Sequence, residues 1–154
     1  MFEQFATGAR AVVSSALEEA QLRGDRRIGT EHLFLGVLYE PESFAVRSLG
    51  VGLEDARTAL DALDRSSLAA IGIEVDGIER PRIPASRKRT PLTSGARSVF
   101  PRALSEVRKS GNRRIESEHL LLALLDCERP DPAAELMGEL GIDRAAVRER
   151  IRQR

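Results

Sequence analysis

The sequence predicts an all-α protein made of two tandem four-helix repeats that pack as one domain with pseudo-twofold symmetry. Three observations support this fold class: an internal repeat, apolar residues spaced as on amphipathic helices, and a composition rich in Ala, Leu, Arg and Glu with only 4% aromatic residues. One repeat alone buries only part of its apolar surface. We therefore expect the two copies to share one core over residues 1–154.

The composition excludes several classes of protein. The 154 residues suit one domain, and 42% apolar residues suffice for a core. The 24 basic and 24 acidic residues cancel, so there is no net field to attract nucleic acid or an anionic membrane. The single cysteine, Cys127, predicts a reducing compartment, and neither a secretory signal nor a run of about 20 apolar residues occurs. We expect a cytoplasmic protein without membrane contact.

The internal repeat is anchored on the two histidines of the sequence. His32 lies in Ile-Gly-Thr-Glu-His-Leu and His119 in Ile-Glu-Ser-Glu-His-Leu, at a separation of 119 − 32 = 87 residues. The same offset relates further pairs upstream, namely Gly8 with Gly95, Leu17 with Leu104, Glu19 with Glu106 and Gly24 with Gly111. The copies span about residues 2–64 and 91–152, and a linker at about 65–90 joins them.

Each repeat is predicted to contain four helices. The first helix carries an apolar stripe in both copies, formed by Ala9, Val12, Val13, Ala16, Leu17 and Ala20, and by Ala96, Val99, Phe100, Ala103, Leu104 and Val107. Pro101 falls inside the second of these stripes, so we expect a kink or a delayed helix start there. The second helix begins at Glu-His-Leu, with the hydroxyl of Thr30 or Ser117 expected to cap it. A third, short helix ends at Gly50 or Gly141, and a fourth follows it.

The linker is basic and rich in proline. Residues 67–73 suit a short helix, and residues 79–91 contain three prolines and five basic residues. One interpretation is a solvated tether. The other is a contact with nucleic acid, although the segment lacks the interleaved aromatic residues of nucleic-acid-binding surfaces.

These features together resemble the Clp N-terminal repeat domain at the front of AAA+ unfoldases such as ClpC and ClpA. The resemblance covers nearly the whole chain and rests on the opening Met-Phe-Glu-Gln-Phe, on Ala-Arg-Ala-Val-Val, and on the signatures at residues 28–33 and 115–120. It implies partners among Clp unfoldase and protease components, adaptor proteins or arginine-phosphorylated substrates. It also implies that Glu31 and Glu118 take the guanidinium of a phosphoarginine, while helix NH groups and Thr7 or Thr93 hold the phosphate.

The chemistry of these residue types suits the implied role. A carboxylate accepts paired hydrogen bonds from a planar guanidinium, and the NH groups at a helix start bind phosphate. The alternative is that Glu31 and Glu118 only stabilise the starts of their helices. Pairs of arginines at residues 26–27 and 113–114 precede the signatures, and they either neutralise the glutamates or contact a phosphate.

The start of the first helix departs from the family pattern. Relatives place a threonine directly after the position of Phe5, where this chain has Ala6 and then Thr7, whereas the second copy keeps Thr93. Phe2 and Phe5 have two interpretations. They staple the first helix to the core, or they line a groove that binds a partner.

No catalytic, metal or cofactor site is predicted. The sequence lacks the GxxxxGK[ST] pattern of a phosphate-binding loop, so we expect no ATPase. His32 and His119 do not form an HExxH pattern and are expected to be buried structural residues. Cys127 has no neighbours in sequence that indicate a lowered thiol pKa.

The sequence therefore predicts a non-catalytic module that binds peptides, adaptors or substrates of the Clp system as a recruiter, adaptor or decoy. The alternative is a structural or regulatory helical protein whose ligand pockets have decayed and whose basic linker touches nucleic acid.

Overall fold

The computed structural model describes residues 4–74, 81 and 89–154. Within these residues the chain forms eight α-helices and no β-sheet, which confirms the predicted all-α fold. The first repeat contains α1 (Thr7–Leu22), α2 (Thr30–Val37), α3 (Phe44–Leu49) and α4 (Leu53–Ala70), and the second contains α5 (Ser94–Ser110), α6 (Ser117–Leu125), α7 (Pro132–Glu139) and α8 (Arg144–Arg152). None of the described helices is long and apolar enough to cross a membrane.

The linker begins later than the sequence predicts. Helix α4 continues to Ala70, so residues 65–70 belong to the first repeat, and the apolar stretch at 67–73 is largely the end of this helix. Phe2 and most of the basic segment, residues 75–80 and 82–88, lie outside the described residues.

The helix boundaries follow local signals in the sequence. The hydroxyl of Thr93 accepts a hydrogen bond from the backbone NH of Ala96 at 3.1 Å and caps α5. Helix α1 instead follows Ala6, which has no side-chain acceptor. Gly50 ends α3 at φ 73° and Gly141 follows α7 at φ 67°, so both predicted left-handed positions are confirmed.

Helix α5 is continuous through Pro101, so the predicted delayed start is wrong. It begins at Ser94 and ends at Ser110. Pro101 cannot donate to the carbonyl of Arg97, but its ring is exposed and displaces no core residue. Packing of the opposite face offsets this one missing hydrogen bond, since the helix buries Ala96, Val99, Phe100, Ala103, Glu106 and Val107.

The histidines of the two signatures cap the helices that contain them. The backbone NH groups of Gly29 and Glu116, which directly precede α2 and α6, donate to Nδ1 of His32 and His119 at 2.8 Å in both cases. Each histidine is the third residue of its helix and returns to the residue before it, as the acidic residue of a capping box does. Both side chains are 2% exposed, which confirms the predicted buried structural role.

The predicted capping of α2 and α6 by Thr30 and Ser117 is wrong, because each of these residues is already the first of its helix. Oγ1 of Thr30 donates to Oδ1 of Asp131 at 2.7 Å and accepts from the backbone NH of Ala133 at 3.2 Å. Both partners lie at the start of α7. Thr30 therefore ties the start of α2 to the start of a helix in the other repeat.

Helices α2 and α6 form the centre of the molecule. The residues from His32 to Val37 and from His119 to Leu125 are all buried. A helix that is apolar on every side must be surrounded by others. Accordingly, α2 contacts α1, α6 and α7, while α6 contacts α5, α2 and α8. The two repeats thus share one core.

Backbone hydrogen bonds join the repeats in a reciprocal pattern. The NH of Ala6 donates to the carbonyl of Ile115, and the NH of Thr93 donates to the carbonyl of Ile28, both at 2.9 Å. Because 93 − 6 and 115 − 28 both equal 87, each repeat makes the same contact on the other. Two further bonds obey the same offset, from Ile115 to Gln4 and from Ile28 to Pro91. Such reciprocity is what a two-fold arrangement requires.

The shared core predicts that one repeat does not fold alone. A fragment of residues 1–74, which ends after α4, should show no cooperative thermal transition because α2 loses its contacts with α6 and α7 of the second repeat. Circular dichroism of the fragment and of the whole chain measures this. A fragment that melts cooperatively close to the whole chain's midpoint would show that each repeat has its own core.

The buried His119 predicts a loss of stability in mild acid. Burial lowers the pKa of His119 from its ordinary 6.5, although the nearby Glu118, Glu116 and Glu106 oppose this. The stabilisation from the neutral ring is therefore fully present above about pH 6.5 and is lost as the pH falls through the lowered value. Protonation also removes the acceptor that caps α6.

His119→Gln keeps an acceptor at the third helical position but does not titrate. We expect urea denaturation to show a smaller drop in unfolding free energy from pH 7 to pH 5 for His119→Gln than for the wild type. Equal drops in the two proteins would assign the acid sensitivity to other groups.

Candidate functional site

The first candidate pocket has a volume of about 370 Å³ and lies at the start of α2. It is bounded by the loop that precedes α2, by α4 and by the start of α5. Its lining residues are Arg23, Asp25, Arg26, Arg27, Gly29, Glu31, His32, Leu60, Asp64 and Thr93. The structure thus brings together Glu31, Thr93 and the arginine pair at 26–27, all of which the sequence singles out.

Glu31 folds back over the start of its own helix. Its carboxylate lies where the Cβ of any other residue at position 29 would stand, so Gly29 makes room for it. The carboxylate is also 3.4 Å from Nδ1 of His32, and its side chain is 20% exposed. Burial raises the pKa of Glu31, while the neighbouring His32 opposes the rise. A partly desolvated carboxylate of this kind favours a cationic partner.

The cationic groups around this pocket differ in how they are held. The side chain of Arg23 is 10% exposed and forms ion pairs with Asp61 at 2.9 Å and Asp64 at 2.8 Å. Arg26 and Arg27 are exposed on the loop before the signature. The pocket therefore has one ion-paired cation, Arg23, on its α4 side. The two long, exposed cationic side chains of Arg26 and Arg27 lie at its mouth.

Thr93 reaches the first pocket from the second repeat. The backbone contact between Thr93 and Ile28 puts the capped start of α5 beside the start of α2. By the same offset, Ala6 is the residue of the first repeat that corresponds to Thr93, and it has no hydroxyl and is not among the residues that line the second pocket. Thr7 is the exposed first residue of α1 and is not among the residues that line either pocket described here.

The second candidate pocket lies at the start of α6 and is larger, at about 1120 Å³. Glu118 is in it together with Arg113, Arg114 and Ser117. The pocket also receives residues from α3, from α5, and from α8 and the residues after it, namely Phe44, Glu106, Lys109, Ile151, Arg152 and Arg154. Position 116, which corresponds to Gly29, is a glutamate. Glu118 instead accepts a hydrogen bond from Nη1 of Arg154 at 2.8 Å.

Asp25 is a site residue that the sequence argument missed. Its Oδ2 lies 2.8 Å from Nε2 of His32, and since Nδ1 of that ring accepts a hydrogen bond, Nε2 carries the proton and donates it. Asn112 takes the corresponding place beside His119. The Nδ2 atom of Asn112 lies 3.1 Å from Nε2 of the His119 ring. The offset of 87 relates positions 25 and 112, so the internal repeat was the signal in the sequence that could have indicated them.

Phe5 belongs to the core. It is 1% exposed, and its ring centroid lies 5.6 Å from that of Phe100. This placement corresponds to the staple interpretation, and a side chain buried in this way offers no surface to a partner. The corresponding interpretation of Phe2 concerns a residue outside the described part of the chain.

The remaining reactive side chains have structural surroundings. Burial raises the pKa of the Cys127 thiol to about 11, helped by the nearby Asp131, so the thiol is protonated at neutral pH and a poor nucleophile. Among the described residues, no group of three or more His, Cys, Asp and Glu side chains is placed to hold a metal ion.

Comparison with curated proteins finds relatives over nearly the whole chain. The chain is 32% identical over 154 residues to the chloroplastic homologue of the ClpA ATP-binding subunit of the ATP-dependent Clp protease from Brassica napus. It is equally similar to the chloroplastic chaperone protein ClpC1 from Arabidopsis thaliana. The match covers 98% of this chain but only 16% and 15% of those relatives. Because they are named as chloroplastic proteins, the cytoplasmic location stays a prediction.

Solved structures show the same fold. The N-terminal domain of the chaperone ClpD from Arabidopsis thaliana matches with a TM-score of 0.75 at 20% identity over 100% of both chains. The N-terminal domain of Hsp104 from Candida albicans matches with a TM-score of 0.62 at 16% identity, over 96% of this chain and 88% of that one. The family described as the Clp repeat (R) N-terminal domain matches residues 4–130 and 91–154. The chain belongs to this family.

Proposed function

We propose that this chain is a non-catalytic binding domain that captures substrate or adaptor polypeptides for a Clp-type unfoldase, and that it recognises phosphoarginine on them. The family and the names of the relatives, a Clp protease ATP-binding subunit and a Clp chaperone, support the first part. The second part is supported by the chemistry of the first pocket.

The observation that carries the proposal is the meeting of Glu31 and Thr93 in one pocket, although they are far apart in sequence and lie in different repeats. Phosphoarginine presents a cationic guanidinium and an anionic phosphate next to each other. Its guanidinium matches the carboxylate of Glu31. The phosphate then lies towards the start of α5 and the arginines at 26–27.

The hydroxyl of Thr93 is suited to a phosphate. Its oxygen already accepts from the backbone NH of Ala96 at 3.1 Å, which fixes its position and leaves its proton to donate. The guanidinium groups of Arg26 and Arg27 add charge-assisted donors with planar geometry, which suits a phosphate better than an ammonium group does. Of the two interpretations of this arginine pair, the pocket favours the phosphate contact.

The second pocket contains the same carboxylate and the same arginine pair, at Glu118 and residues 113–114. It differs at the threonine position, because no threonine is among the described residues that line it, whereas Thr93 lines the first pocket. We therefore assign the tighter site to the first pocket.

The proposal predicts that Glu31→Ala weakens phosphoarginine binding about tenfold or more, because a charge-assisted contact contributes roughly 1.5–3 kcal/mol. Glu118→Ala should have the smaller effect, and the double variant should show no binding. Isothermal titration calorimetry with free phosphoarginine measures all four proteins. Asp55→Ala is the matched control, since Asp55 is an exposed first-turn acid of α4 outside both pockets.

Two results would contradict this proposal: no heat from the wild type at millimolar phosphoarginine, or a double variant that binds as well as the wild type. Either would favour the alternative of a helical interaction protein with decayed pockets.

The raised pKa of Glu31 predicts that this residue costs stability while it serves binding. The stabilisation from its protonated form is fully present below the ordinary value of 4.5 and is lost as the pH rises through the raised value. The glutamine of Glu31→Gln does not ionise. The stability of this variant relative to the wild type should therefore be higher at pH 7 than at pH 4. Urea denaturation at both pH values measures the difference. A variant that is less stable than the wild type by the same amount at both would show that Glu31 serves its helix instead.

A further inference from the structure

We infer that the second pocket is a guanidinium site that the chain fills with its own Arg154, so that a ligand enters only by displacing that side chain. The inference rests on the proposed function, because the ligand it concerns is the phosphoarginine of that proposal. It adds a regulatory contact that makes the two pockets unequal.

Two chemically different groups hold the guanidinium of Arg154. Oε1 of Glu118 accepts from Nη1 at 2.8 Å, and the guanidinium carbon lies 4.5 Å from the centroid of the Phe44 ring. A carboxylate at the edge of the planar group and an aromatic ring on its face are the two preferred partners of an arginine side chain. Phe44 is the first residue of α3, so this site joins the two repeats.

The segment that ends with Arg154 is anchored on both sides of the pocket. Nη1 of Arg150 donates to the carbonyl of Ser48 in α3 at 2.7 Å. Arg152 forms an ion pair with Glu106 of α5 at 3.4 Å. These contacts place the residues after α8 over the pocket mouth and limit the freedom that Arg154 loses when it binds Glu118.

The first pocket cannot be filled in the same way. Downstream of the signatures, Leu49-Gly50 of the first copy corresponds to Leu140-Gly141 of the second, so the offset there is 140 − 49 = 91, four more than upstream. The position that corresponds to Arg154 is therefore 154 − 91 = 63, and Leu63 stands there. Leu63 is a partly buried apolar residue that packs against the core. Moreover, the carboxylate of Glu31 lies over Gly29, whereas that of Glu118 accepts a hydrogen bond from Arg154.

The contact between Arg154 and Glu118 is strong enough to compete with a ligand and weak enough for a ligand to displace it. The side chain of Arg154 is 60% exposed and that of Glu118 is 17% exposed. An ion pair and a cation–π contact whose arginine is largely exposed weaken the binding of a competing guanidinium by about fivefold.

The test isolates the second pocket by working in the Glu31→Ala background. Arg154→Ala in that background should tighten the binding of free phosphoarginine about fivefold by calorimetry. Arg154→Lys keeps the positive charge, and with it the electrostatic field of the pocket, but loses the planar guanidinium. It should therefore tighten phosphoarginine binding by a smaller factor than Arg154→Ala does. Arg148→Ala is the matched control. It also removes one arginine charge, but Arg148 lies in α8 and pairs with Asp126 outside the second pocket. Unchanged or weaker binding in Arg154→Ala overturns the inference.

A second measurement does not depend on any ligand. In the wild type, the NMR resonance of the Arg154 Nε–H group should be shifted by the Phe44 ring, and Glu118→Ala or Phe44→Ala should return it to the position of a solvated arginine. If this response occurs but no protein binds phosphoarginine, the proposed function fails and the self-occupied site stands. If the wild-type resonance is already that of a solvated arginine, the inference fails whatever the ligand does.

Discussion

The reciprocal backbone contact between the repeats is the constraint on which the rest of the molecule depends. The short segments before α1 and α5 each hydrogen-bond to the first residue of the signature in the other repeat, at Ile115 and Ile28. These four bonds satisfy backbone groups that would otherwise lie unpaired beside a buried core. They also bring the start of α5 to the wall of the first pocket, where Thr93 lines the site, while the second pocket receives Phe44 from the first repeat. Neither pocket is complete within its own repeat.

The three residues Thr-Glu-His in the first signature show how one short motif serves three purposes. Successive helical residues point about 100° apart. Thr30 therefore reaches α7 of the other repeat, Glu31 faces the pocket, and His32 returns to the backbone of Gly29. Asp25 then holds the far nitrogen of the ring. The carboxylate that faces the pocket is thus flanked by two residues that fix the start of its helix, so its position depends on contacts outside the pocket.

The fold could be predicted largely from the sequence, because an exact offset of 87 residues and the spacing of apolar residues are local, one-dimensional signals. The predictions that were wrong concern positions where several interactions compete in the folded structure. Thr30 was expected to cap its own helix, but it is already the first residue of α2, and its hydroxyl donates to Asp131, about a hundred residues away. Helix α5 runs through Pro101 because burial of its apolar face outweighs one missing hydrogen bond.

The candidate site could be predicted only in part. Repeat symmetry assigned Glu31 and Glu118 to equivalent places, but it did not show that Thr93 belongs with Glu31 across the repeats. Nor did sequence spacing indicate Phe44 or Arg154, since neither has a counterpart of the same chemistry in the other copy. Their meeting at Glu118 follows from the packing of α8 against α3.

The difference between the two pockets begins with a single position. Gly29 lets the carboxylate of Glu31 fold over the start of α2, where burial raises its pKa and leaves it to be neutralised by a cation from outside. The corresponding residue in the second repeat is Glu116, and there Glu118 accepts a hydrogen bond from Arg154, so the chain itself provides the cation. A duplicated motif can thus keep its residues and still diverge in use, because the residue before the motif decides where the carboxylate lies.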